Sequence, residues 1–303
     1  MNSISRREFV TLAAMSAVAS RTALYSSAAL PPAAITAQEI VERIKQKIGI
    51  DWKADTVDTF KAGDPSTVVK GIVTTTMSTM AVLQQAVKGG ANLVITCEPT
   101  FYSKSDSASP PAGRGGGNVA VDPILAAKNE FIKREGLVIW RFSDHWRLRK
   151  PDPLAIGLMD ALGWSALRAP NDPARATIPA IALDALASDL KRKLNAHGGI
   201  RVIGDPQLRV QTIGLLPGTT PIQSALTLLP AVDAVIAGEI REWETAEYAR
   251  DKITAGEKKS LILLGRVVSE DPGMNVCAQW LKTIIPEVPT SWLPVGDPYW
   301  RPV

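Results

Sequence analysis

Apolar positions along this chain alternate between two rhythms. Short, nearly unbroken apolar runs at 69–74, 91–96, 137–142, 210–216, 232–237, 260–266 and 290–295 read as strands buried on both faces. Between them, apolar residues recur at helical spacing. Thr36-Ala37-Gln38-Glu39 is a capping box that opens a helix with Ile40, Val41 and Ile44 on one face. Asp122 caps a second helix, which reaches Phe131 and is closed by Gly136. Further helices are predicted over 155–162, 181–194, 244–253 and 274–284. NDPAR (171–175) reads as a linker, and SDHWRLRKPDP (143–153) as a loop at the carboxyl end of a strand. The Ser-, Pro- and Gly-rich stretch 103–118 cannot form a core element; it is either a mobile cover over a strand end or a spacer.

The pattern occurs twice. GDPSTVVKGIV leads into LVITCEPTFY, and GDPQLRVQTIG leads into AVIAGEIREWE, at a constant offset of 141 residues from Gly63 to Gly204, Ile72 to Ile213 and Glu98 to Glu239. Turn, strand, helix and strand in that order describe a β-α-β unit with parallel strands. The predicted fold class is therefore α/β: two similar lobes from an internal repeat, each with a mixed or mostly parallel sheet flanked by helices. Their bounds are 36–165 and 175–303, with C-terminal elements able to complete the cleft of the first lobe. Ligands on such sheets bind beyond the carboxyl ends of the strands, where Glu98 and Glu239 fall. That points to a cleft shared by the lobes. The alternative is a repeat of packing alone, in which each glutamate caps the next helix.

Residues 1–28 stand outside this scheme. Arg6-Arg7 and Phe9 precede a short apolar run and Ala17-Val18-Ala19, the layout of a cleaved twin-arginine export signal. A periplasmic or otherwise exported protein without a stable membrane anchor is expected. The chain of 303 residues is long enough for two cores, and its 46% apolar and 21% charged residues are those of a globular protein. A net charge of +4, with scattered basic residues, gives no nucleic-acid stripe. Cys97 and Cys277 lie in unlike contexts and are expected to be free thiols rather than a disulfide. His197 reads as a structural helix-end histidine, Trp140, Trp164, Trp243 and Trp280 as core or interface, and Asp144 as orienting His145 or capping a turn.

LVITCEPTFY, FSDHWRLRKPD, VIAGEIREWE and LLGRVVSEDPGM resemble, in order and spacing, motifs of the Nif-three-like family of dinuclear metal-centre hexameric proteins, also described as GTP cyclohydrolase type-2-like. The resemblance spans about Thr36 to Trp300. It implies two similar α/β lobes, a ring-like hexamer and a metal pair. The family holds its metals with two adjacent histidines after the first-lobe strand, an acidic residue from a following loop, and a His and a Glu from a Gly-His-x-x-Ser-Glu motif. Here the histidine positions are Cys97 and Glu98, the acidic position falls on Arg149 or, with a slide, on Asp152, and the late histidine is Arg266. His145 and Glu270 are kept.

Cys97, Glu98, His145, Asp152 and Glu270 can still offer a zinc, iron or manganese ion four or five donors. Arg266 works against this, since a permanent guanidinium repels a divalent cation and pairs with Glu98 or Glu270 instead. Arg147 or Arg149 can do likewise. Fewer than two metals per chain are expected, and none if Arg266 occupies the site. Three functions follow. One is metal-assisted hydrolysis, with Glu239 as general base and Arg266 and Arg149 holding an anionic substrate. Another is a non-catalytic binding or scaffold protein whose metal site has become Arg–carboxylate pairs. A third is metal-free acid–base chemistry on Glu98 and Glu239.

Overall fold

Two sheets, each covered on both faces, account for the unbroken apolar runs. The computed structural model describes residues 34–103, 106, 122–300 and 302; residues 1–28, where an export signal is expected, and nearly all of the 103–118 stretch lie outside them. The first sheet has the order β1 (Phe60–Ala62), β4 (Val138–Arg141), β3 (Leu93–Thr96), β2 (Ile72–Thr75) and β11 (Thr290–Trp292). β1 is antiparallel to β4, and the other pairs are parallel. The second has the order β5 (Arg168–Ala169), β6 (Asp172–Ala182), β8 (Arg209–Thr219), β9 (Ala234–Glu239), β10 (Ser260–Leu263) and β7 (Arg201–Ile203). β8, β9 and β10 run parallel, with β7 antiparallel on β10 and β6 antiparallel on β8.

The helices follow from caps and covered faces. α1 (Ala37–Lys47) carries the capping box expected of Thr36 and Glu39. α2 (Met80–Lys88) is capped by Thr79, and α3 (Pro123–Arg134) by Asp122 with Pro123 in its first turn. Alternate residues of β3 serve opposite cores. Leu93 and Ile95 join Ile40 and Ile44 of α1, while Val94 joins Leu83 and Leu125 of α2 and α3. Such double coverage explains why the strand reads as continuous apolar sequence. The second sheet is treated alike. Ile213 and Ile236 pack with α5 (Pro153–Leu162) and α6 (Leu183–Lys193), while Val235 and Leu261 pack with α7 (Ile222–Leu228) and α8 (Glu247–Thr254).

Three stretches differ from the sequence expectations. The linker at 171–175 is the start of the eleven-residue strand β6, which β8 pairs along its edge. The loop after β4 contains a short helix, α4 (Asp144–Leu148). The last long helix, α9 (Arg266–Ile284), begins eight residues before the predicted 274 and runs through Pro272. A Ser-Glu-Asp-Pro-Gly sequence signals a turn, but here the backbone at Pro272–Gly273 is pressed against Gly157 of α5. A Cβ on Gly157 would lie 2.4 Å from the Pro272 carbonyl. Tertiary packing thus keeps the chain helical where local propensity would end it. Trp140 and Trp164 are core residues and Trp280 packs against the core, but Trp243 is 72% exposed. Among the described residues, no helix is long and apolar enough to cross a membrane.

Candidate functional site

Cys97 and Glu98 follow β3 directly, where the chain leaves the sheet and its backbone amides still pair with Thr75 and Thr76. Glu270 sits one turn into α9, at the end of β10, and reaches the same point from the other sheet. The ligand atoms of Cys97, Glu98 and Glu270 lie within 4.8 Å of one another and all three residues are buried, so the group could hold a metal ion. Glu270 is admitted by glycine. A Cβ on Gly218, whose φ is +78°, would lie 2.1 Å from Glu270 Oε1. Ser269 Oγ fixes that approach by accepting from Gly218 N–H at 2.9 Å and donating to the Arg266 carbonyl at 2.7 Å.

Two arginines enter this group. Arg147, on α4, directs Nη2 into its centre: 2.7 Å from Glu98 Oε1, 2.8 Å from Glu270 Oε1 and 3.4 Å from Cys97 Sγ. Its Nε donates to Ser143 Oγ at 3.3 Å. Arg266, the first residue of α9, donates from Nη2 to the same Glu98 oxygen at 2.6 Å. Its Nε lies 3.7 Å from Glu270 Oε1, and its Nη1 lies 3.8 Å from Glu239 Oε2. Two guanidinium groups and two buried carboxylates therefore balance each other. Glu270 Oε2 and Arg266 Nε have no hydrogen-bond partner among the described residues.

The titration behaviour follows from this placement. Burial pushes the Cys97 thiol up to about 12, against the pull of Arg147. Burial also raises the Glu270 carboxyl above its ordinary value, and Arg147 offsets only part of that. For Arg147, burial opposes the charge, but Cys97, Glu270 and Glu98 outweigh it and the pKa moves up. Arg147 is a fixed cation.

With Arg147 so placed, its guanidinium stands where a divalent ion would sit among the three donors. A guanidinium nitrogen lies within 3.4 Å of all three ligand atoms, and without a metal burial favours the neutral Cys97 thiol. An ion would also face a second cation on Glu98.

The remaining predicted donors are elsewhere. His145 Nδ1 donates to Asp58 Oδ2 at 2.7 Å, and its Nε2 accepts from Lys53 N–H at 2.9 Å. Its ring stacks on Trp52 with centroids 3.7 Å apart, so His145 is a core residue with neither nitrogen left for a metal. Asp152 caps α5, accepting from Leu154 N–H at 2.9 Å, and burial raises its pKa. Arg149 lies over the rings of Trp280 and Trp146, at 4.8 and 5.6 Å, and is neither ligand nor part of the cluster. Burial lowers its pKa. Glu239 ends β9, with its side chain 55% exposed and Arg266 Nη1 at 3.8 Å.

Asp58, not Asp144, orients His145. It accepts from the backbone N–H groups of Ser143, Asp144 and His145, at 2.6, 2.9 and 2.9 Å. This clamp aims Arg147 two residues later. No sequence signal marked Asp58, which lies outside every predicted element. Cys97 and Cys277 are both buried and free.

No protein-family model matches the chain, and no curated protein matches it in sequence. Solved structures match its fold. Protein SA1388 of Staphylococcus aureus is 13% identical, with a TM-score of 0.66 over 89% of this chain and 100% of that one. Protein ybgI, of unknown function, is 18% identical, with a TM-score of 0.63 over 87% of this chain and 100% of that one. A Bacillus cereus protein related to NIF3 is 12% identical, with a TM-score of 0.65 over 88% of this chain and 99% of that one. The chain thus has the fold of NIF3-related proteins, as the motif resemblance implied, with two mixed sheets flanked by helices.

Proposed function

We propose that this chain is a metal-independent ligand-binding protein on the NIF3-type fold, in which Arg147 and Arg266 take over the charge balance that metal ions would provide. One observation supports this above the others: Arg147 Nη2 lies 2.7, 2.8 and 3.4 Å from the three donor atoms that a metal would need. A charge-assisted network of this kind links elements following both sheets at the point where metal ions would otherwise bridge them. Elemental analysis of untagged protein tests the reading. No stoichiometric metal is expected, and zinc, manganese or iron(II) should not raise the melting temperature. One or two tightly held ions per chain would sink it.

Spacing of the Cys97, Glu98 and Glu270 donors favours a second reading, a single-metal hydrolase in which Arg147 swings away to admit the ion. The same measurements decide between them. Export by the twin-arginine route and assembly into a hexamer belong to this proposal too. Lysines at positions 6 and 7 should retain the precursor in the cytoplasm, and light scattering of the mature protein should give six copies; normal export or a monomer would remove the respective claim.

A further inference from the structure

A cavity of about 730 Å³ opens at the carboxyl ends of β9 and β10, beside the ion-pair cluster. Its size is that of pockets for small organic ligands, and its place is where open α/β sheets bind them. Leu263, Leu264 and Val268 give it an apolar lining, and Tyr299 and Trp300, residues that are 72% and 76% exposed, also line it. Gly265 (φ +87°) opens the turn into α9, with no atom within 4 Å of where its Cβ would be.

Arg266 connects the cluster to this cavity. Glu98 fixes its Nη2 at 2.6 Å, which orients the guanidinium. Its Nη1 makes no hydrogen bond among the described residues, having only Glu239 Oε2 at 3.8 Å. The charged edge is thus preorganised and open. Of the other charged groups on the wall, Arg201 is paired with Glu242 at 2.6 Å, and Asp297 accepts from Gly198 and Tyr299 N–H groups at 2.7 and 3.0 Å. The first turn of α9 carries no acidic side chain.

We propose that the cavity binds a small planar aromatic acid, its anionic group on Arg266 Nη1 and its ring against Tyr299 and Trp300. The proposal rests on the metal-independent reading, since it needs Arg266 as a permanent cation. The anion would displace Glu239 from a contact too long to be a hydrogen bond. The ring would cover aromatic surface that water now wets.

Calorimetric titration of the mature chain with 1-naphthoate tests this, with 1-naphthalenemethanol and inorganic phosphate as the ring-only and anion-only probes. Saturable naphthoate binding is expected, and the neutral analogue should bind roughly ten- to a hundredfold more weakly, the loss of one charge-assisted hydrogen bond. Arg266→Met should bring the same loss. Arg266→Lys, which keeps the charge but not the fork, should weaken binding while preserving the fold. Glu239→Gln should leave affinity unchanged or tighten it. Naphthoate binding no better than the alcohol, or undiminished in both Arg266 variants, would overturn the anion contact. Phosphate binding as tightly as naphthoate would overturn the ring contact. A silent naphthoate titration in protein shown to be metal-free would defeat this inference alone, whereas bound metal would defeat the reading beneath it.

Discussion

Glu98 follows the carboxyl end of β3 and Glu239 closes the carboxyl end of β9, and their environments are opposite. Glu98 is 4% exposed and one of its oxygens takes hydrogen bonds from both Arg147 and Arg266. Glu239 has a side chain that is 55% exposed, and the Arg266 guanidinium is 3.8 Å away. The difference arises beyond the strands. In the first sheet, α4 follows β4 and turns Arg147 inward. In the second, the chain after β10 supplies Arg266, which leans across to Glu98 rather than serving the glutamate of its own sheet. A strand end fixes where a carboxylate sits; the element after the neighbouring strand decides whether it is buried, paired or left to solvent.

The two carboxylates can be set against each other directly. Glu98→Gln should cost about 3–5 kcal/mol in denaturant unfolding, because it leaves partly buried guanidinium groups short of a partner. Glu239→Gln should cost under about 1 kcal/mol, as for an exposed ion pair. Equal losses would show that the burial difference carries no energetic weight.

Removing the guanidinium from the first site should expose its latent donors. Arg147→Met is expected to take up a thiophilic ion such as zinc, read by elemental analysis, while Arg266→Met takes up less because Arg147 remains among the donors. If neither variant binds zinc, the three ligand atoms do not present a usable geometry.

A smaller effect should appear in the pH dependence of stability. Glu270 has a folded-state pKa raised by burial. Its contribution is therefore fully present below the unfolded carboxylate value of about 4.3 and is lost as pH rises through the raised folded value. The parent should lose stability relative to Glu270→Gln over that window. Parallel profiles for the two proteins would mean that burial does not govern this carboxyl.

Much of this contrast was legible in the sequence. The apolar runs located β2, β3, β4, β8, β9, β10 and β11 but not β1, β5, β6 or β7, and the turn-to-glutamate spacing brought out Glu98 and Glu239. Arg266 announced itself because a cation stood where a metal ligand was expected. Other features are tertiary. β6 begins in a sequence rich in Asn, Asp and Pro, and becomes a strand because the edge of β8 is available. His145 looked like a ligand because histidine binds metals, and only the fold reveals that Asp58 and Lys53 take both ring nitrogens. Arg147 and Arg149 are two residues apart in sequence; helix geometry and the Asp58 clamp send one into the cluster and the other onto tryptophan rings.

The position of β11 bears on how the molecule comes into being. The outermost strand on β2 is residues Thr290–Trp292, and Met274, Cys277 and Leu281 of α9 fill the core between that sheet and α1. The sheet that begins first along the chain is therefore finished last. During synthesis, residues from the amino-terminal half must wait for nearly the whole polypeptide to emerge before their core can close. Cutting the gene between the two sheets would yield neither half as a sound fragment: one would lack its edge strand and covering helix, and the other would carry their apolar faces into water.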